Sequence, residues 1–143
     1  MSQLTVYKAS AGSGKTSRLA IEYAAMLVKN PALYRHILAI TFTNKAAEEL
    51  KERVIQVLYA FSKNKTSDFY FAEVAEISGM GEKEIVRNAK RALFFILHDY
   101  NQFYISTIDS FFSKILIGFA FEMNIHPMED VEFYTTEVRH GRA

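Results

Sequence analysis

The chain has 143 residues, half of them hydrophobic, no cysteine and a formal net charge of +1. That length suits one domain or a piece of a larger one, and the apolar content supplies a packed core and excludes a disordered chain. Disulfides and thiolate metal sites are excluded. No apolar run approaches the ~20 residues that span a bilayer, and no basic-then-apolar leader opens the chain, so we expect no membrane partner and a cytoplasmic location by default.

Leu4-Thr5-Val6-Tyr7 reads as a short strand of branched and aromatic residues. Ala9-Ser10-Ala11-Gly12-Ser13-Gly14-Lys15-Thr16 follows, the pattern of a P-loop with Ala in place of its first Gly. Small residues are needed there because backbone N–H groups must close around a phosphate. Gly12 and Gly14 take conformations that a Cβ would forbid. The successive N–H groups form an anion-binding nest, and the next helix points its positive end at the same place. In this reading Ala9 to Thr16 hold a nucleotide, Lys15 reaches its β- and γ-phosphates, and Thr16 ligates Mg²⁺ through its hydroxyl. Leu19, Ala20, Tyr23, Ala24 and Leu27 then recur at helical spacing until Asn30-Pro31 stops the helix.

The run Ile37 to Phe42 reads as a strand buried on both faces of a parallel sheet. A helix is predicted from about Asn44 to Phe61, with Ala46, Ala47, Leu50, Val54, Val57, Leu58 and Phe61 inward. Lys45–Glu49 and Glu49–Arg53 are spaced to pair on its outer face. After a polar loop, a short helix is predicted from Phe69 to Ile77, a turn at Ser78-Gly79-Met80-Gly81, and a longer helix from 82 to about 101 with Ile85, Ala89, Leu93, Ile96 and Tyr100 inward. Helix, glycine turn and helix also suit a helix-turn-helix. The basic stripe Lys83, Arg87, Lys90 and Arg91 has no base-reading content, however, and an αα-hairpin with a solvated basic face is the preferred reading. Phe103 to Thr107 reads as a third strand. The helix predicted from Asp109 to about Phe121 is apolar on nearly all sides and so needs cover on more than one face. Val131 to Tyr134 reads as a weak fourth strand. The order β-α-β, helical insertion, β-α gives a parallel sheet with helices on its faces and a ligand at the carboxyl ends of the strands.

Two further stretches carry chemistry. Thr41-Phe42-Thr43-Asn44-Lys45-Ala46-Ala47-Glu48-Glu49-Leu50 closely resembles motif Ia of superfamily 1 helicases of the UvrD/Rep class, and Ser106-Thr107-Ile108-Asp109-Ser110-Phe111 resembles their motif Ib. The Ala-Gly-Ser-Gly-Lys-Thr ending of the P-loop is also that class's form. The long helical segment between the second and third motifs is more like the RecB and AddA branch. The resemblance covers residues 3 to 125. It implies a P-loop NTPase (RecA-like) α/β fold, here an incomplete domain over 1–143 with a helical insertion at about 62–102. It also implies ATP and Mg²⁺ as cofactors and contacts from motifs Ia and Ib to single-stranded DNA. Carried over residue by residue, those contacts fall on Phe42, Thr43, Asn44, Thr107 and Ser110. Hydroxyl, amide and helix N-terminal donors suit a phosphate backbone, and the Phe42 ring offers a base a stacking face. Asp109 stands where the family most often has His. A carboxylate repels phosphate, so Asp109 is left out of the contact set and is expected as a helix N-cap.

The family's second acidic motif, a strand ending in Asp-Glu, has no counterpart in these residues. Neither do the later motifs with arginine fingers, nor any nuclease carboxylate cluster, and His36, His98, His126 and His140 lack metal-ligand spacing. The expectation is an N-terminal piece of a larger ATP-driven DNA helicase or helicase–nuclease subunit of recombinational repair. Its partners would be the remaining motor domains or another subunit, and in isolation it would self-associate through the apolar helix. The alternatives are a small P-loop kinase of a nucleotide or metabolite, with Asp109 as its acidic residue, and a non-enzymatic module with a vestigial P-loop.

Overall fold

The computed structural model describes residues 14–67 and 69–124. The strands expected at 4–7 and 131–134, and Ala9, Ser10, Ala11, Gly12 and Ser13 of the phosphate loop, lie outside the described residues. The chain divides into two units, Met1–Ile108 and Asp109–Ala143.

The first unit is helix-rich. Helix α1 (Gly14–Lys29) turns Ala20, Tyr23, Ala24, Leu27 and Val28 into the core, the face predicted from 3.6-residue spacing. It stops where Asn30 leaves the helical region. The Asn30 carboxamide accepts from the Ala32 N–H at 3.1 Å and starts a 3₁₀ turn at Pro31–Arg35. Helix α2 (Asn44–Ser62) buries Ala47, Leu50, Val54, Val57, Leu58 and Phe61, and only Ala46 of the predicted stripe stays half-buried. The ion pair on its outer face is Lys51–Glu48 at 3.3 Å, in place of the predicted Lys45–Glu49 and Glu49–Arg53 pairs. Helix α3 (Phe69–Ser78) ends at Gly79, whose φ of +67° is the left-handed conformation glycine adopts without strain. Gly81 then caps helix α4 (Glu82–His98). Helices α1, α2, α3 and α4 share one apolar core, crossed by ring contacts such as Phe61 edge-on to Phe71, 5.1 Å between centroids.

Strands β1 (Ala39–Thr41) and β2 (Ile105–Thr107) pair in parallel, with Ala39 opposite Ile105 and Thr41 opposite Thr107. Both pack on α2. The parallel pairing agrees with the predicted α/β class, and it is the whole of the sheet among the described residues. The predicted burial of β1 on both faces is corrected. Ile37 and Ala39 pack on the core, whereas Leu38, Ile40 (43% exposed) and Phe42 face out. An apolar run fixes strand character but not how many faces are covered, and here the helices cover one. Tyr100 is corrected too. Asp99 leaves the helix at φ −140°, ψ 53°, so Tyr100 starts a 3₁₀ turn and is 44% exposed.

Two polar features escaped the sequence pattern. Asp99 accepts from the Tyr34 hydroxyl at 2.9 Å and from Arg35 Nη2 at 2.8 Å, which ties the turn after α1 to the end of α4. Asn88, buried in the apolar stripe of α4, donates through Nδ2 to the Val28 carbonyl at 2.6 Å. Val28 lies in the last turn of α1, where carbonyls have no partner within the helix, so Asn88 satisfies one of them inside the core. Asn88→Ala leaves that carbonyl buried and unpaired and is expected to lower stability by about 1–3 kcal/mol, read as a lower urea midpoint with unchanged slope. Tyr23 differs: its hydroxyl is buried without a hydrogen-bond partner among the described residues, and burial pushes it well above the ordinary phenol range.

In the second unit, helix α5 (Ile108–Glu122) has no buried residue, and Phe112, Leu116, Phe119 and Phe121 are exposed. Among the described residues no helix is long and apolar enough to cross a membrane.

Candidate functional site

Thr41 and Thr107 are register partners, so β1 and β2 end at one level. α2 starts three residues after β1, and α5 follows β2 directly. α2, starting at the carboxyl end of β1, directs N–H groups at that edge, which is where open parallel sheets place their ligands.

The turn from β1 to α2 is held by its two threonines. Thr41 Oγ1 donates to the Thr43 carbonyl at 3.1 Å, and Thr43 Oγ1 accepts from the Ala46 N–H at 3.1 Å as the N-cap of α2. The cap uses a lone pair of the Thr43 hydroxyl and leaves its proton available as a donor. Between them Phe42 is 88% exposed. A ring this bare, on a turn fixed from both sides, is not part of the core. Asn44, the first residue of α2, is exposed as well.

At the end of β2 the placement differs. Thr107 is only 6% exposed, and its carbonyl accepts from the Ser106 hydroxyl at 3.3 Å. Ser110 belongs to the second unit and lies exposed in the first turn of α5. Asp109 lies inside that first turn, not at the N-cap as predicted, because the helix already begins at Ile108. The structure therefore brings Phe42, Thr43, Asn44 and Thr107 to one strand edge.

Of the phosphate loop, Gly14, Lys15 and Thr16 are described, and they form the first turn of α1. That turn contains no acidic residue. The expectation that Gly14 takes a conformation forbidden to a Cβ is corrected: it is the first residue of α1 with no positive φ, and among the described residues a Cβ built on it would meet nothing within 4 Å. Helix α3 braces this end of α1. The Tyr70 hydroxyl donates to Ser17 Oγ at 3.3 Å, and Arg18 bridges Glu22 at 2.9 Å and Glu73 at 3.0 Å. A positive helix end, an amine and a hydroxyl are the groups that would hold a polyphosphate and its divalent cation. Sequence reasoning had no signal for the brace, because Ser17 and Tyr70 are 53 residues apart.

The chain matches the UvrD/REP helicase N-terminal domain over residues 2–138. It is similar to the RecBCD enzyme subunit RecB of Buchnera aphidicola subsp. Acyrthosiphon pisum, 36% identical over 137 residues that cover 85% of this chain and 11% of the relative. The subunit of the same name from Haemophilus influenzae is 28% identical over 140 residues, 88% of this chain and 12% of that one. ATP-dependent DNA helicase PcrA of Bacillus subtilis is 52% identical over 50 residues, 35% of this chain and 7% of that protein. This chain thus spans roughly a tenth of the length of these relatives. No solved structure gives a significant match. The motifs at 9–16, 41–50 and 106–111 all lie within the matched span, and the chain belongs to the UvrD/REP helicase N-terminal domain family.

Proposed function

We propose that this chain is the ATP-binding and DNA-tracking portion of a cytoplasmic ATP-dependent DNA helicase subunit of the RecB-like branch, one that translocates on single-stranded DNA in recombinational repair. In this reading residues 1–143 are the N-terminal part of a RecA-like motor domain, with the helices from about 62 to 102 as an insertion. Ala9 to Thr16 would cradle ATP, with Lys15 at the β- and γ-phosphates and Thr16 as the residue that would hold Mg²⁺, which when bound would supply neutralisation of phosphate charge. Phe42 stacks on a base while Thr43 and Asn44 donate to the backbone. Ser110, in the other unit, is read as a further donor to the backbone, and Thr107 as the residue that ends β2. Exonuclease activity would belong to a further domain. The exposed apolar face of α5 receives the remaining motor domains or another subunit, and supports self-association when the chain stands alone.

The observation that carries this reading is the bare Phe42 ring on a turn fixed by two threonine hydrogen bonds at the carboxyl edge of a parallel sheet. Phe42→Ala is expected to weaken binding of a fluorescein-labelled oligo-dT by about 1–3 kcal/mol, five-fold to a hundred-fold in Kd by anisotropy. Its melting temperature should match the parent's. Equal affinity in the two proteins would remove the ring from the DNA track.

A further inference from the structure

We infer that the exposed face of α4 is a second nucleic-acid surface, one that grips the phosphate backbone of duplex DNA; this rests on the reading that the chain works on DNA. The residues are Lys83, Arg87 and Lys90, with Arg91 alongside. All four are exposed, and the spacing i, i+4, i+7 sets the first three on one face over about 10 Å of helix. They line an open groove of about 290 Å³ together with Val86, Asn64 and Glu82. Asn64 holds its wall at φ +59°, in a loop that places Lys63 and Lys65 on either side of it in sequence. Among the described residues Glu82 is the one carboxylate lining the groove, where cations outnumber it three to one.

Among the described residues none of these α4 cations has an ion-pair partner. The carboxylates that do pair are engaged by Arg18, Arg35 and Lys51. Lys83–Arg87 and Arg87–Arg91 are like charges at i,i+4, an arrangement that disfavours the helix. Glu84, three residues before Arg87, offsets part of that repulsion, whereas Lys83, Lys90 and Arg91 have no carboxylate three or four residues away on the helix. An anion with closely spaced charges reverses the sign of that term, and a duplex carries one charge per about 1.7 Å of its axis. Among the described residues the groove lining contains no aromatic ring. Single-strand grooves combine cations with rings on which bases stack, so this lining reads backbone and not bases. The face does turn apolar beyond Arg91, where exposed Phe94 stacks on His98 with centroids 3.8 Å apart, but those residues lie outside the groove.

The test uses the 143-residue chain with Lys83, Arg87 and Lys90 all changed to Gln. Glutamine keeps helix propensity and relieves the like-charge pairs, so the fold is retained. Binding to a labelled mixed-sequence duplex and to labelled oligo-dT is followed by anisotropy across a salt series. Three phosphate contacts predict a slope near −2.7 in log K against log salt, about a fortyfold loss between about 50 and about 200 mM. The triple variant should bind duplex at least about tenfold more weakly with a flattened slope, while oligo-dT binding stays within about twofold. Phe94→Ala should leave duplex binding as it is. An unchanged duplex affinity and slope in the triple variant overturns the inference. So does a loss confined to oligo-dT, or a loss matched by Phe94→Ala, since both mark a stacking groove. A polyglutamate chain competing as well as duplex would also overturn it, in favour of an acidic protein. Failure of Phe42→Ala to alter oligo-dT binding would instead count against the motor reading and leave this result standing.

Discussion

Lys15→Ala is expected to abolish measurable nucleotide binding while leaving the fold as stable as before, or more so. The two halves of that expectation rest on the same position. Lys15 lies in the first turn of α1, where the helix presents partial positive charge. A cation there is disfavoured by about 0.3–1 kcal/mol at an exposed site, and alanine is the better helix former. Local energetics thus argue against a lysine at this point, which a polyphosphate ligand would explain. Removing a charge-assisted contact to phosphate costs about 1.5–3 kcal/mol, more than tenfold in affinity, on a site expected to bind nucleotide weakly in this chain alone. Calorimetric titration with ATP and Mg²⁺ reads the loss directly. Thermal melts read the other half: the parent is stabilised by the nucleotide in proportion to ln(1 + [L]/Kd), and the variant is not, though its melting point without nucleotide is equal or higher. Parent-like ATP affinity in Lys15→Ala would refute the assigned role. A drop in the nucleotide-free melting point would show that Lys15 supports the fold instead.

How much of this was legible in the sequence depended on whether the cause was local. The start and inner face of α2 were, because Thr43 supplies a cap and Leu50, Val54, Leu58 and Phe61 repeat at helical spacing. The end of α1 was, because Asn30-Pro31 is a local stop. What failed involved a partner far along the chain. Asn88 is a polar residue in an apolar stripe, and nothing near it in sequence identifies the Val28 carbonyl, 60 residues away, as the reason. The exit of Asp99 from α4 goes with contacts to Tyr34 and Arg35, more than 60 residues back. Leu38 and Ile40 failed differently: a two-sided and a one-sided strand can share the same apolar letters. For the candidate site, the motif residues were legible as a set. Their unequal exposure, with Phe42 bare and Thr107 buried, was not, because exposure depends on what packs against each strand end.

Phe61→Ala should be the most destabilising of these substitutions, and the comparison with Phe42→Ala isolates what burial does. Both remove a benzyl group from one end of the same region, before and after α2. Phe61 is fully buried in the last turn of α2 and meets the Phe71 ring edge-on at 5.1 Å, joining α2 to α3. Its loss gives up transfer free energy, the ring contact and the packing around the cavity, together about 3–5 kcal/mol. A domain of this kind has about 5–15 kcal/mol in all, so a third or more of its stability goes. The melting temperature should fall by on the order of ten degrees or more, with the urea midpoint falling in step. Phe42, bare at 88% exposure, should cost within about 0.5 kcal/mol. DNA binding should behave in the opposite way: below its own melting point Phe61→Ala keeps near-parent affinity for oligo-dT, whereas Phe42→Ala loses it at full stability. If Phe61→Ala melts with the parent, the packing of α2 on α3 described here is wrong. If it stays folded yet loses oligo-dT binding as Phe42→Ala does, then α2 transmits core packing to the turn at Thr43, and the turn is not held by its own two threonine bonds.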